Sequence, residues 1–293
     1  MGLVCILIAT VLNTTKGYCS KRVSGKLTCF ADNINLSFFR SLVCALLGGI
    51  FVAIGGALPA MSAYGWLVCI IAGASLSVNY VAWVLALRTD AYMFASASSS
   101  AGFVVAVIGG ILLLGETLTI GKTAAILCIL AGMWFMLRYQ IEFSGMPAVK
   151  DLLLLVTVFV TQGVSQLTQK MFTQALPDIS AHVYTFWSFV ISAGMLLVLR
   201  LFLRYPGTKR EETARLGGLL PWIAVMGSSL YGVTYFQALA STRMDAVVLY
   251  PLNNGLVLVA SMLMSWLALK EKPSRNSIIG AALVFAALVL TRF

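Results

Sequence analysis

The sequence predicts an all-α integral membrane protein: ten transmembrane helices arranged as two inverted five-helix repeats. Three observations carry that prediction. Of 293 residues, 60% are hydrophobic and only 10% charged, too little charge to cover a soluble globule of this size. Apolar runs of about 20 residues, the length of helix that crosses the hydrocarbon core, recur along the whole chain. The chain also repeats itself: "MFASASSSAGFVVAVI" at 93–108 falls without a gap on "VLYPLNNGLVLVASML" at 248–263.

Taken in order, the spans are 2–20, 34–54, 64–87, 91–114, 120–138, 151–171, 181–203, 218–239, 245–269 and 275–291. Each must be a helix, because lipid satisfies no backbone hydrogen bonds and runs this long exceed a barrel strand. The connections are short and hold most of the Lys, Arg, Asp, Glu and Pro. The opening segment lacks a basic n-region and a small-residue cleavage site, so it is kept as the first span. Ile6 stands where a myristoylation motif needs Ser or Thr, so Gly2 is not expected to be acylated.

The repeat extends beyond the quoted stretch. At the same shift Tyr80 falls on Tyr235, Arg88 on Arg243, Asp90 on Asp245, Ala91 on Ala246 and Glu116 on Glu271. More weakly, Lys21 in "YCSKRV" faces Lys170 in "LTQKMF". The expected halves are 1–142 and 143–293. Five spans is an odd number, so the second half must be inverted, and charge placement agrees. Lys16, Lys21, Arg22, Lys26 and Arg40 crowd loop 1–2, while Arg200, Arg204, Lys209, Arg210 and Arg215 crowd loop 7–8, which is equivalent to loop 2–3. Inverted repeats are a transporter architecture, with sites near the midplane at the repeat interface.

Two inverted five-span halves resemble the drug/metabolite transporter superfamily, particularly its bacterial EamA type. So do the turns "LLGETLTIGKTAAILCILAG" (113–132) and "LALKEKPSRNSIIGAALVFAAL" (267–288), and a basic residue early in span two, Arg40. The resemblance implies a ten-helix metabolite transporter with both termini in the cytoplasm. The positive-inside rule points the other way. Apart from Lys122, Lys170, Arg243 and Arg292, every basic residue lies at the end of the bundle opposite the termini.

The net charge of +10 sits at span ends and in loops such as 200–215, beside headgroups rather than nucleic acid. All six cysteines lie in the first half without a C-x-x-C, and read as small buried residues rather than a zinc or redox site. Cys19 and Cys29 flank the first loop and could pair only in an oxidising compartment. ATP-binding, H-E-x-x-H and G-x-S-x-G motifs are missing, so no catalytic residue, metal or cofactor is expected. His182, the one histidine, reads as a headgroup-level or capping residue, with a proton relay as the second reading.

The ten acids all map to loops or span ends, which disfavours proton-coupled export of lipophilic cations, a process served by intramembrane carboxylates. Glu116 and Glu271 precede helix starts with Thr119 and Ser274 as N-caps, and Asp90 and Asp245 complement helix dipoles. The expected substrate-binding set is therefore uncharged: Asn13, Asn79, Tyr80, Trp83, Ser98, Ser99, Gln162, Gln166, Tyr231, Tyr235, Asn253 and Asn254. Lys21, Arg40 and Lys170 are possible charge partners, although lipid snorkelling competes for them and for Lys16. For the serines, helix packing through Ser98-x-x-x-Gly102 competes with binding. Neighbouring helical residues diverge by about 100°, so of Asn253 and Asn254 one is expected to face the cavity and the other a helix. Pro251 is expected to kink span nine.

These readings lead to a carrier for a small polar metabolite, an amino-acid-like zwitterion or organic anion. It would work by alternating access around a neutral polar cavity, as a monomer in a bacterial inner membrane. The alternative is a membrane-embedded enzyme or receptor-like scaffold, which would need clustered acids, a metal site or a signalling domain.

Overall fold

A computed structural model describes residues 2–24, 26–27, 29–55, 60–88, 98–144, 149–203, 209–269 and 275–290. Among them are ten helices and no strand: α1 (Gly2–Ser24), α2 (Phe30–Ile54), α3 (Ala63–Arg88), α4 (Phe103–Leu114), α5 (Ile120–Ser144), α6 (Val149–Ala175), α7 (Ala181–Phe202), α8 (Lys209–Ser241), α9 (Ala246–Leu269) and α10 (Arg275–Leu290). Each coincides with one expected span. Several overrun the apolar run, α8 most of all, because a helix continues past the hydrocarbon wherever polar residues still favour it. Seven helices are long and apolar enough to cross a membrane, and three shorter apolar helical stretches, 98–114, 120–135 and 278–287, accompany them. Expectations for Asp90, Glu271 and Ser274 lie outside the described residues.

Side chains mark the lipid face directly. On α1, Leu3, Val4, Leu7, Ile8 and Val11 are exposed, whereas Cys5, Ile6, Ala9 and Thr10 are buried. Exposed apolar residues recur on α4, α6, α7 and α9, including Leu112, Leu153, Leu201 and Leu267. An apolar belt on this scale fits hydrocarbon, not water. The chain is a multi-pass membrane protein.

Local caps fix the helix starts. At α2, the Asp32 amide donates to Cys29 Sγ at 3.4 Å while the Cys29 amide donates to Asp32 Oδ2 at 3.2 Å, a reciprocal capping box. Ser180 Oγ accepts from the His182 amide at 3.3 Å to open α7. Thr119 Oγ1 accepts from the Lys122 amide at 3.3 Å to open α5, as expected. Gly115 closes α4 in the left-handed region, φ 67°, where a Cβ is costly. All six cysteines are free thiols, and Cys5, Cys19, Cys44 and Cys69 are buried, so Cys29 serves as a cap and not as half of a disulfide.

Most contacts run between the two halves of the chain. Helix α1 packs on α8 and α9, α2 on α7 and α8, α3 on α6 and α7, α4 on α6 and α9, and α5 on α10. Small residues set the closest crossings. A Cβ at Gly163 of α6 would lie 2.3 Å from the Gly102 carbonyl, beside α4, so only glycine fits there. This supports the packing role of Gly102 in Ser98-x-x-x-Gly102.

Candidate functional site

The sequence at α6 and α9 places amides where two buried helix faces meet. Gln162, Gln166, Gln169 and Thr173 share one face of α6 at helical spacing, and Asn253 and Asn254 occupy α9. Gln166, Asn253 and Asn254 are 3%, 1% and 6% exposed. The amide nitrogens of Gln166 and Asn253 both reach Asn254 Oδ1, each at a long 3.4 Å. The two asparagines therefore converge, contrary to the expectation that they point apart.

This group is polar but incompletely bonded. Gln166 Oε1, Asn253 Oδ1 and Asn254 Nδ2 are buried without a hydrogen-bond partner. An unmet buried group costs about 1–3 kcal/mol, and here two acceptors and one donor without partners lie together. Several polar groups around it are satisfied. Gln169 Nε2 donates to the Thr234 carbonyl at 2.8 Å, and Tyr184 OH donates to the Ser165 carbonyl at 3.3 Å and meets Thr168 Oγ1 at 3.3 Å. Pro251 is buried within an unbroken α9, where its ring removes one backbone donor a single turn before Asn254.

A second group lies where α2 ends and α7 begins. The rings of Phe51, His182, Tyr231 and Tyr235 stack nearly parallel, with His182 and Tyr235 centroids 3.9 Å apart at 8°. His182 Nδ1 and Tyr231 OH are hydrogen-bonded. Tyr231 and Tyr235 were expected in the site. His182 and Phe51 were not, and no spacing signal in the sequence joins them. His182 is thus more than a cap.

A third group joins α2 and α3. The Arg40 guanidinium lies 4.2 Å from the Tyr80 ring centroid, a cation–π contact. Arg40 Nε and Tyr80 OH are both buried without hydrogen-bond partners. Lys16 is within electrostatic reach of Arg40.

The remaining expected residues divide. Asn79 Nδ2 donates to the Val158 carbonyl at 3.2 Å and to Thr161 Oγ1 at 3.1 Å, tying α3 to α6. Asn13, Ser98, Ser99, Gln162 and Trp83 are half-buried on α1, the helical turn before α4, α6 and α3. The Lys21 side chain lies outside the described residues. Lys170, which has no acidic partner nearby in sequence, has one in space. Its Nζ donates to the carbonyls of Ser241 and Met244 at 2.9 and 2.7 Å and pairs with Glu116 Oε1 at 3.7 Å. Glu116 in turn accepts from the amides of Ala246 and Val247 at 2.8 and 3.0 Å. Glu116 therefore caps α9 from across the bundle, a role that its position before α5 does not suggest. Lys122 pairs with Asp245 beside it at 2.6 Å. An open cleft of about 280 Å³ adjoins this latch, lined by Glu116, Lys170, Gln174 and Asp245 among others.

Among the described residues, no cluster of His, Cys, Asp and Glu could hold a metal. Residues 150–293 match the EamA-like transporter family. A solved crystal structure is similar over 99% of this chain and 96% of its own, with 17% identity and a TM-score of 0.77, a likeness of fold. No curated protein matches the sequence.

Proposed function

From the match of residues 150–293 to the EamA-like transporter family, we propose that the chain is a secondary active or facilitative transporter of a small polar metabolite. The substrate is an amino-acid-like zwitterion or an organic anion. The observation that carries the reading is the buried Gln166–Asn253–Asn254 group with its three unmet polar atoms. A solute bearing both donors and acceptors completes those bonds, whereas an apolar solute leaves them empty.

The mechanism is alternating access of two inverted halves, 1–142 and 143–293. Helix pairing supports it. Exchange α1–α5 with α6–α10, and the α1–α8 pair becomes α6–α3, α2–α8 becomes α7–α3, and α1–α9 becomes α6–α4. The pairs α2–α7, α4–α9 and α5–α10 map onto themselves, and every one of these pairs occurs. A two-fold pairing of this kind lets the halves rock about a site held between them. The protein works as a monomer in a bacterial inner membrane, since one chain carries both halves. We read it as a carrier rather than an enzyme.

The test is uptake of a labelled metabolite mixture into proteoliposomes. Transport that is lost in Gln166→Ala, Asn253→Ala and Tyr235→Ala, with folding intact, supports the reading. A wild-type protein that moves no solute in either direction under any gradient defeats it.

A further inference from the structure

Among the described residues, two cations share the interior of this bundle without a counter-ion. On α1, the positions Cys5, Ala9, Leu12, Lys16, Cys19 and Val23 recur at alternating steps of four and three, the spacing of one helix face. Cys5, Ala9, Cys19 and Val23 on that face are 7%, 0%, 5% and 0% exposed, and Leu12 packs against the Gly232 position of α8. Lys16 thus belongs to the inward stripe of α1, opposite the lipid-facing Leu3, Leu7 and Val11. Snorkelling to headgroups, the reading its position near a span end suggests, does not fit that face.

On α2, the Arg40 guanidinium lies over the Tyr80 ring of α3, 4.2 Å from its centroid. The Arg40 backbone is itself seated closely on α8, its carbonyl 3.2 Å from where a Gly227 Cβ would be. One turn further along α2, Cys44 Sγ donates to the Gly227 carbonyl at 3.1 Å. The ion pairs of the described residues involve Lys122 and Lys170, and the charge within reach of Lys16 is another cation. Like charges in a bundle interior repel and disfavour each other's charged forms. Intramembrane cations ordinarily pair with an acid or mark a substrate path. Here the free donors are Arg40 Nε and Tyr80 OH, on a tyrosine 8% exposed.

We propose that Lys16, Arg40 and Tyr80 form a subsite that binds an oxyanion, the carboxylate or phosphate group of the transported solute. This rests on the transporter reading and assigns named side chains to the anionic end of its zwitterionic or anionic substrate. Arg40 supplies directional N–H donors, Lys16 a compact charge, and Tyr80 a hydroxyl donor, a set that matches three lone-pair directions of one oxyanion.

The test is thermal unfolding of the full chain in phosphatidylcholine nanodiscs, titrated with inorganic phosphate, lactate or glutamate. Wild-type protein is expected to be stabilised saturably by at least one of them. Lys16→Met and Arg40→Met should raise the half-saturating concentration about thirtyfold or more, the loss typical of a buried charge partner. Lys16→Arg should retain binding. Lys16→Met removes the charge at similar length, so it should also unfold at a higher temperature than ligand-free wild type, by relief of like-charge repulsion.

Equal stabilisation of wild type and both Met variants overturns the proposal, as does no stabilisation by any of the three anions. Stabilisation that appears only when phosphatidylglycerol is added assigns the site to a lipid headgroup and overturns the solute assignment. Lys16-dependent anion binding in a protein that transports nothing defeats the carrier reading but leaves the subsite. Transport of solutes without Lys16-dependent binding does the reverse.

Discussion

Glu116→Ala should destabilise the protein by about 3 kcal/mol. The Glu116 carboxylate is 6% exposed and accepts from the Ala246 and Val247 amides at 2.8 and 3.0 Å, the first turn of α9. Hydrogen bonds to charged groups contribute about 1.5–3 kcal/mol each. Two of them at the lower bound give about 3 kcal/mol, and the lower bound applies because the adjoining cleft lets water reach the freed amides. Glu116→Gln keeps an acceptor oxygen but loses the charge, so about half that loss is expected. Lys170 keeps its two carbonyl partners in either variant. Its 3.7 Å approach to Glu116 is longer than a hydrogen bond, so a double-mutant cycle with Lys170→Met should show a coupling of only about 0.5–1 kcal/mol.

The assay is equilibrium unfolding in detergent combined with hydrogen exchange. Exchange of the Ala246 and Val247 amides should accelerate in Glu116→Ala well before that of the α9 interior. A Glu116→Ala protein within about 0.5 kcal/mol of wild type, the range of an ordinary surface change, would refute the cap.

Other positions give sharper contrasts. Gly163→Ala forces a Cβ to 2.3 Å from the Gly102 carbonyl and should cost about 1–3 kcal/mol in thermal unfolding. Gly194→Ala on α7, with nothing within 4 Å of the new Cβ, should instead stabilise by about 0.5–1 kcal/mol. Asn79→Ala removes both bonds to α6 and should cost about 1 kcal/mol, while half-saturating substrate concentration stays unchanged. Gln166→Leu should leave stability near wild type or above it, since it removes an unmet acceptor, yet abolish transport. A matching loss of stability and transport there would make Gln166 merely a packing residue.

Fold and site were legible in the sequence to different depths. Hydropathy period alone places all ten helices, because membrane helices must be long and apolar and their loops polar. The amide group was legible too, since Asn253, Asn254 and Gln166 are anomalies in an apolar run, and such residues need a reason. Pairing between distant residues was not legible. Glu116 reads as a turn residue because a sequence displays only its neighbours along the chain. Its partners, the Ala246 and Val247 amides, have no side-chain signature. His182 reads as a cap for the same reason: Phe51 and Tyr235 meet it only through the α2–α7–α8 crossing.

Lys16 shows where a sequence rule and a helix face compete. Counted from the span end, it is a snorkelling lysine; counted around the helix, it shares a stripe with Ala9 and Val23, both 0% exposed. The second count wins physically, because a side chain reaches only where its Cα–Cβ vector allows, and the lipid-facing arc lies on the opposite side of α1. The same logic bears on orientation. Lys16 and Arg40 enter the positive-inside tally as loop-side charges, but interior residues on a ligand path feel no headgroup potential. Removing the pair weakens the bias of loop 1–2 and leaves that of loop 7–8 intact. A topology assay with reporters in the 204–208 connection therefore tests the charge rule at its strongest point. Cytoplasmic location of that connection requires both termini outside, and periplasmic location would mean that the family habit outweighs five basic residues within 200–215.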